Sequence, residues 1–527
     1  MIKEKISSLI KEALKSLNIE AGAFIVEHPT DLKMGDYSTN AAIKYGHKEE
    51  ILDFLNKNKP EEVERIELAG PGFINFHLSK EFFKKSLGEI IENKDFGRSN
   101  HAKGFKVMVE HTDPNPFKEF HIGHLMPNVI GSTIARVFEW NGAEVKQANY
   151  QGDVGLHVAK AVWAMLKDEK ENAYAAGNKA HEEDPEAKNE IEELNKKIYE
   201  KSDKEVNELY EKGKKESLDK FEEIYKRLGT KFDYYFFESE TGEIGKKIVM
   251  DNVGKVFEES EGAIIFKGSH TRVFINSKGL PTYEAKDLGN AINKYDKYPY
   301  DLSVVVTGNE IKDYFRVVLE AMEKVSPELA LKTKHLPHGM LRLPTGKMSS
   351  RTGNVITAEE LIEEVKKRTK GDEQVAIGAI KYMILRQVIG HDIIFDIEKS
   401  VSTEGDSGVY LQYAHARANS ILEKAHLSQP SPWQGEGGPR AVGEVRTIER
   451  LLYRFPEIVE RAGAEYAPNY ITTYLTELAS SFNNFYANEQ VIGDSPESGY
   501  RLAIVEAFRN VMKNGLNILG IPAPERM

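Results

Sequence analysis

The chain contains no cysteine among its 527 residues. Disulfide cross-links and thiolate metal sites are therefore excluded. No apolar run approaches the roughly 20 residues that a membrane-spanning helix needs. The opening stretch, MIKEKISSLIKEALKSLNIE, mixes both charge signs and lacks the apolar centre of an export signal. A cytoplasmic location is expected, with no membrane partner. Basic residues are outnumbered, 71 Lys and Arg against 83 Asp and Glu, giving a net charge of −12. That field repels phosphate, which argues against a DNA coater; a nucleic-acid partner would have to meet a local basic patch.

What is present is enough for several folded units. Hydrophobic residues make up 40% of the chain, so a sizeable core can form. The length exceeds that of one typical domain. Up to about residue 98, helical spacing of Ile2, Ile6, Leu9, Ile10, Leu14 and Leu17 is followed by strand-like RIELAGPGFINFHLS, a small α+β unit. From 99 to 400, FKVMVEHT, a helical pattern over Leu125–Phe138 and AEVKQANYQGDVG read as strand, helix, strand, the mark of a parallel sheet. Further strands are expected in this domain at GAIIF, TRVFINS and DLSVVVTGNE. Residues 165–230, rich in Glu, Lys and Asn, read as an insertion of solvated helices. From 401 to 527 only helical patterns remain, interrupted by SQPSPWQGEGGPRAVG, a Gly/Pro/Ser-rich loop at 428–443. The expected fold is multidomain α/β: a Rossmann-type parallel-sheet domain with a helical insertion, a small α+β domain before it and an all-α bundle after it.

The densest chemistry is EHTDPNPFKEFHIGHLMPN, Glu110–Asn128, at a strand-to-helix junction. His121 and His124 stand three apart. A zinc pair on a helix is disfavoured, because such ligands are normally four apart with a glutamate between. Capping and packing histidines remain one reading. The other is phosphate chemistry, because free N–H groups and the dipole at a helix start favour anions. Gly123 would let a flat base lie against the backbone. A second passage, LPTGKMSSRTGNVI, sets Lys347 beside Gly346, Ser349 and Ser350, a loop able to close over a polyphosphate.

HIGH at His121–His124 and KMSSR at Lys347–Arg351 resemble the two signatures of class I aminoacyl-tRNA synthetases. GDYSTNAAI, ELAGPGFINFHLS, NYQGDVGLH, SSFNNFYAN and the tail RLAIVEAFRNVMKNGLNILGIPAPERM resemble the arginyl-tRNA synthetase family within that class. The resemblance implies that ATP and L-arginine give arginyl-adenylate, and that the arginyl group then passes to the terminal adenosine of tRNA(Arg). It implies His121, His124 and Lys347 as catalytic residues, with Mg²⁺ accompanying ATP and no protein-held metal. ATP would meet His121, Gly123, His124, Met340, Lys347, Met348 and Ser349. The family usually carries a second lysine late in the loop signature; here Arg351 would supply that charge. A guanidinium needs coplanar carboxylates. The resemblance assigns Glu238, Tyr283 and Asp287 to the arginine side chain and Asn115 to its α-amino group. Glu310 aligns where relatives often carry glutamine, and is retained as a contact. For tRNA, the resemblance assigns the elbow to the first domain and the anticodon to the bundle. There Phe485 and Tyr486 offer stacking rings and Arg509 a basic contact, with Phe482, Arg501 and Lys513 nearby. A monomer is expected. The rivals are another class I synthetase, which would lack GPGFINF and this tail, and a non-catalytic tRNA-binding paralogue, which would tend to lose His121, His124 or Lys347.

Overall fold

The structure is a computed structural model that describes residues 2–169, 172–344, 356–426, 444–493 and 495–527. In the first domain the helix Ile2–Ser16 buries Ile2, Ile6, Leu9, Ile10, Ala13 and Leu14 on one face. It belongs to the same core as an antiparallel sheet ordered Val26–Glu27, Tyr37–Thr39, Phe73–Leu78, Val63–Ala69.

The central sheet has five parallel strands: β1 (Lys106–Glu110), β2 (Glu144–Gln151), β3 (Tyr234–Phe237), β4 (Leu302–Gly308) and β5 (Thr333–His338). Their spatial order is β3-β2-β1-β4-β5. The order reverses between β1 and β4, and in such sheets the ligand crevice opens outside the strand ends at that reversal. The helix Ile122–Trp140 follows β1 and buries Leu125, Val129, Ile130, Ile134 and Val137 against the sheet and the bundle.

Two of the expected strands do not join this sheet. Ala263–Lys267 and Thr271–Ile275 pair antiparallel with each other, and Glu258–Ser260 completes a separate three-stranded sheet. It packs on the helices Glu238–Asp251 and Tyr283–Lys297. Those two helices cross unusually closely. A Cβ at Gly245 would lie 1.8 Å from the Ala285 carbonyl, and one at Gly289 would lie 2.1 Å from the Thr241 carbonyl.

The insertion comprises helices Ala173–Glu183, Pro185–Glu200 and Lys204–Leu228, entered from Leu156–Leu166. It is less solvated than its composition suggests. Lys204–Leu228 buries Val206, Tyr210, Gly213, Phe221, Ile224, Tyr225 and Leu228.

The C-terminal bundle contains Gly408–His426, Thr447–Leu452, Phe455–Ala464, Asn469–Asn488 and Ser498–Leu519. Pro456, in the first turn of its helix, marks the break inside the run that reads as one helix in the sequence. The first domain docks on this bundle. The Tyr37 hydroxyl donates to the Glu457 carboxylate, and Arg450 pairs with the fully buried Asp36. Tyr453 inserts between Phe82 and Phe83, with ring centres 5.2 and 5.7 Å away. The loop at 428–443 lies outside the described residues.

Candidate active site

β1 ends at Glu110, and the chain turns through a tight loop before the helix begins at Ile122. Thr112, Asp113 and Phe117 all have positive φ, at 83°, 44° and 68°. Non-glycine residues in this region store strain that surrounding structure must hold, a common condition at functional sites.

His121 is the N-cap of the helix. Its Nδ1 accepts the Gly123 N–H at 3.0 Å, and the His124 Nδ1 accepts the His121 N–H at 3.3 Å. The rings stack with centres 3.9 Å apart. Capping is therefore part of what these histidines do, but it does not use up their chemistry. With both Nδ1 atoms accepting, a neutral ring carries its proton on Nε2 and can donate it to a phosphate oxygen. Burial and the Lys118 ammonium push His121 down to about 4, and burial with the neighbouring His121 holds His124 well below its ordinary value. Both rings are thus neutral donors near pH 7. Gly123 has a second cause besides access: a Cβ there would stand 2.7 Å from the His121 ring.

Of the acidic residues singled out in the sequence, Glu238 and Asp287 lie beside this helix start, together with Asn115 and Tyr283. Asn115 Oδ1 and Glu238 Oε1 both press on Gly152, where an added Cβ would lie 2.2 and 3.0 Å from them. Glu238 begins the helix Glu238–Asp251, and Lys286 Nζ meets its Oε2 at 2.6 Å. Lys286 in turn lies 5.2 Å from the Tyr283 ring centre. Asp287, one residue on, accepts the Tyr314 hydroxyl at 2.5 Å. Burial, with Glu110 and Glu238 nearby, raises Asp287 to about 7 against the Tyr314 bond. Deeper in, Glu110 is held by Lys294 at 2.7 Å and by the Asn290 amide at 2.9 Å. Asp287 and the neighbouring Asp113 thus have no ion pair among the described residues; Asp113 accepts the Tyr150 N–H at 2.8 Å. Glu238 is not free, because Lys286 sits on one of its oxygens.

Three residues here were not singled out in the sequence. Lys118 affects both Glu238 and the two histidines, and so links the acidic pocket to the helix start. Lys286 holds Glu238. Asp153, fully buried, accepts four hydrogen bonds behind the pocket. Each is an ordinary charged residue until tertiary placement brings its neighbours.

Other expected residues lie elsewhere. Glu310 is exposed, and its carboxyl folds back over Gly308 at the end of β4, near His338 rather than the other carboxylates. Met340 has both backbone groups engaged: its N–H donates to Asp392 at 2.8 Å and its carbonyl accepts from Ile393 at 2.8 Å. Its sulfur in turn accepts from the Arg342 guanidinium at 3.8 Å. Lys347, Met348, Ser349, Ser350 and Arg351 lie outside the described residues. The chain just beyond them does not: Ile356 and Thr357 are tied to the backbone of Ile122 and His121.

In the bundle, Phe485 is only 6% exposed and packs inside, while Tyr486 is 43% exposed. Burial removes Phe485 from any surface on which a base can stack. Arg509 is engaged with Glu506 and Asn510, and Arg501 with Glu489 and Glu497. Lys513 is exposed. Tyr486 instead shares the Arg417 guanidinium with Tyr413, at 6.0 and 4.7 Å from the ring centres. This exposed aromatic–guanidinium cluster was not picked out in the sequence.

Three family models match in succession: the arginyl tRNA synthetase N terminal domain over residues 4–78, the class I (R) tRNA synthetase catalytic domain over 86–396, and the DALR anticodon binding domain over 411–527. The chain is 31% identical to an arginine–tRNA ligase of Oenococcus oeni, covering 100% of this chain and 99% of that one. It is 29% identical to the Halothermothrix orenii ligase over 100% and 99% of the two chains. Among solved structures, Thermus thermophilus arginyl-tRNA synthetase superposes with a TM-score of 0.80 at 26% identity, covering 100% of both chains. The domain order, the parallel sheet with its signature helix at the crevice and these full-length matches place the chain in the arginyl-tRNA synthetase family of class I.

Proposed function

We propose that this chain joins L-arginine to tRNA(Arg) in two ATP-driven steps. The observation that carries this is the meeting of Asn115, Glu238, Tyr283 and Asp287 in one pocket, next to the helix start that bears His121 and His124. A guanidinium in the pocket would meet Asp287 and the free edge of Glu238, with the Tyr283 ring beside it. The α-amino group would meet Asn115. An arginine carboxylate oxygen then attacks the α-phosphorus of ATP, and the bond to pyrophosphate breaks. Charge grows on the phosphate oxygens. The Nε2–H donors of His121 and His124, and the Lys118 ammonium, would stabilise it. Lys347 would neutralise the departing pyrophosphate, and Mg²⁺ would travel with the nucleotide's own phosphates. In the second step the 2′-hydroxyl of the terminal adenosine attacks the arginyl carbonyl and AMP leaves.

For tRNA, the first domain would meet the elbow and the bundle would meet the anticodon loop. Unstacked loop bases bind on exposed rings and guanidinium planes, which suits Tyr413, Arg417 and Tyr486. We take the protein to act in the cytoplasm as a monomer. The test is aminoacylation of total tRNA with each of twenty labelled amino acids. Arginine alone should be incorporated. Charging with any other amino acid at a comparable rate would overturn the assignment.

A further inference from the structure

The helix Glu238–Asp251 begins badly from the standpoint of local sequence. Its N-cap is Phe237, whose side chain has no acceptor to offer the orphan N–H groups of the first turn. A carboxylate from elsewhere supplies what is missing. Asp153 Oδ1 accepts the Ser239 N–H at 2.9 Å, and Oδ2 accepts the Ser239 hydroxyl at 2.7 Å. The same Oδ2 accepts the Tyr210 hydroxyl at 2.9 Å and Lys214 Nζ at 2.7 Å, both from the insertion helix Lys204–Leu228. Lys214 also stands 3.9 Å from the centre of the Phe237 ring. The insertion thus grips the first residues of the helix on which Glu238 stands.

It grips the opposite wall as well. The Phe117 N–H donates to the Ser217 hydroxyl at 2.9 Å, and Phe117 stacks against Tyr210 at 6.2 Å. Gly213 leaves room for that ring, since a Cβ would come within 2.3 Å of it. Asn115 lies two residues before Phe117 in the same strained loop. One insertion helix therefore holds both sides of Gly152, the floor on which Asn115 and Glu238 meet.

We propose that Lys214 and Asp153 form a positioning pair that sets the Glu238 carboxylate, which makes the helical insertion a determinant of arginine affinity. This rests on the reading of Glu238 as an arginine contact. Neither residue touches substrate; the pair acts through the helix start.

The test uses the full-length enzyme with saturating tRNA, measuring KM for arginine and for ATP and kcat in Lys214→Met, Lys214→Arg, Tyr210→Phe, Glu238→Gln and the double variant Lys214→Met/Glu238→Gln. Lys214→Met should raise the arginine KM about tenfold, the worth of one charge-assisted hydrogen bond, with kcat and the ATP KM within about twofold. Lys214→Arg should restore near-normal values. Tyr210→Phe should act in the same direction more weakly, and it decides the matter if Lys214→Met does not fold. The double variant should be no worse than Glu238→Gln alone, because both changes spoil one interaction. Equal damage to the ATP and arginine constants, or additive losses in the double variant, would overturn the pair's role. A raised arginine KM in Glu238→Gln with none in Lys214→Met and Tyr210→Phe would overturn it while leaving the pocket assignment standing. An unchanged arginine KM in Glu238→Gln would bring down the pocket assignment and the inference together.

Discussion

The backbone of His121 is paired with that of Thr357 in an antiparallel bridge. The Ile122 N–H donates to the Ile356 carbonyl at 3.3 Å, and the Ala358 N–H donates to the Phe120 carbonyl at 2.9 Å. The far end of the loop signature is thus sewn to the start of the first signature, 236 positions earlier (357 less 121). Ala358 is the first residue of its helix, and Thr357 before it has φ −70° and ψ 158°. Both positions accept a proline at 358, which keeps the helix but removes the N–H. Because Ala358 is fully buried, Ala358→Pro should also lower the melting temperature, so exchange is measured on protein shown folded by circular dichroism. The substitution should slow tRNA-dependent pyrophosphate exchange about tenfold, the effect of misplacing a group near the chemistry by a fraction of an ångström. Full exchange activity would show that the bridge does not register the two signatures.

If the guanidinium meets Asp287 as proposed, the rise of this carboxyl to about 7 should make arginine affinity pH-dependent. Protein with a protonated Asp287 would have to release that proton first. The apparent KM for arginine should fall as pH rises through 7 and level off above it. Asp287→Asn should abolish that pH dependence and raise the arginine KM strongly, by roughly the 2–5 kcal/mol of a lost buried charge partner, with ATP little affected. A mainly ATP-directed effect would misplace the pocket. The sign for stability is the opposite. Between the ordinary carboxyl value and about 7, the unfolded chain gives up this proton while the folded one keeps it. Asp287 therefore lowers stability as pH climbs through that window, an effect that thermal melts without arginine should register.

Lys347→Ala should cut the rate of adenylate formation by two orders of magnitude or more and leave arginine binding, measured by calorimetry, almost unchanged. Near-normal turnover would remove this lysine from the leaving-group role.

The bundle gives a paired test. Phe485→Ala empties a core position and should cost about 3–5 kcal/mol of stability, seen as a lower melting temperature. Tyr486→Ala should leave the melt nearly unchanged and raise the KM for tRNA by about fivefold to a hundredfold, the 1–3 kcal/mol of one base-stacking contact. The reverse pattern would move anticodon recognition away from the Tyr413–Arg417–Tyr486 cluster.

Exchange measured with and without tRNA probes how the site is completed. The family is among those that activate their amino acid only with tRNA bound, an induced-fit arrangement. With arginine and ATP alone, exchange should be absent, and cognate tRNA should restore it. Robust exchange without tRNA would show a pre-formed site.

Much of this was legible in the sequence, and the failures share a cause. β1 and β4 announce themselves as the runs KVMV and SVVV, because central parallel strands are buried on both faces; β2, the polar EVKQANYQ, was legible only from its place after the helix. β3 and β5 escaped notice because they lie at the two edges; β5, TKHLPH, is half-exposed and contains a proline. GAIIF and TRVFI were legible as strands but not as members of a separate sheet, since local pattern carries no pairing information. The helices of the bundle were plain from periodicity. Within the site, spacing and position singled out His121 and His124, while Glu238, Tyr283 and Asp287 came only from the family resemblance. Neither could reveal that Lys286 sits on Glu238, that Lys118 faces both the pocket and the histidines, or that the Glu310 carboxyl turns toward Gly308. Those depend on which side chains meet across elements far apart in the chain.

The docking of the first domain on the bundle sets an order on how this protein can be made. Asp36 is fully buried, and its ionic partner Arg450 is 414 residues downstream; Tyr37 waits 420 residues for Glu457. A ribosome adding about 5–20 residues per second needs about 20 to 80 seconds to bridge that gap. Through that interval the nascent first domain must expose Asp36 and the Phe82–Phe83 seat of Tyr453 to whatever surrounds it. The first domain is therefore completed only once the part of the bundle that carries Arg450, Tyr453 and Glu457 has been made and has folded.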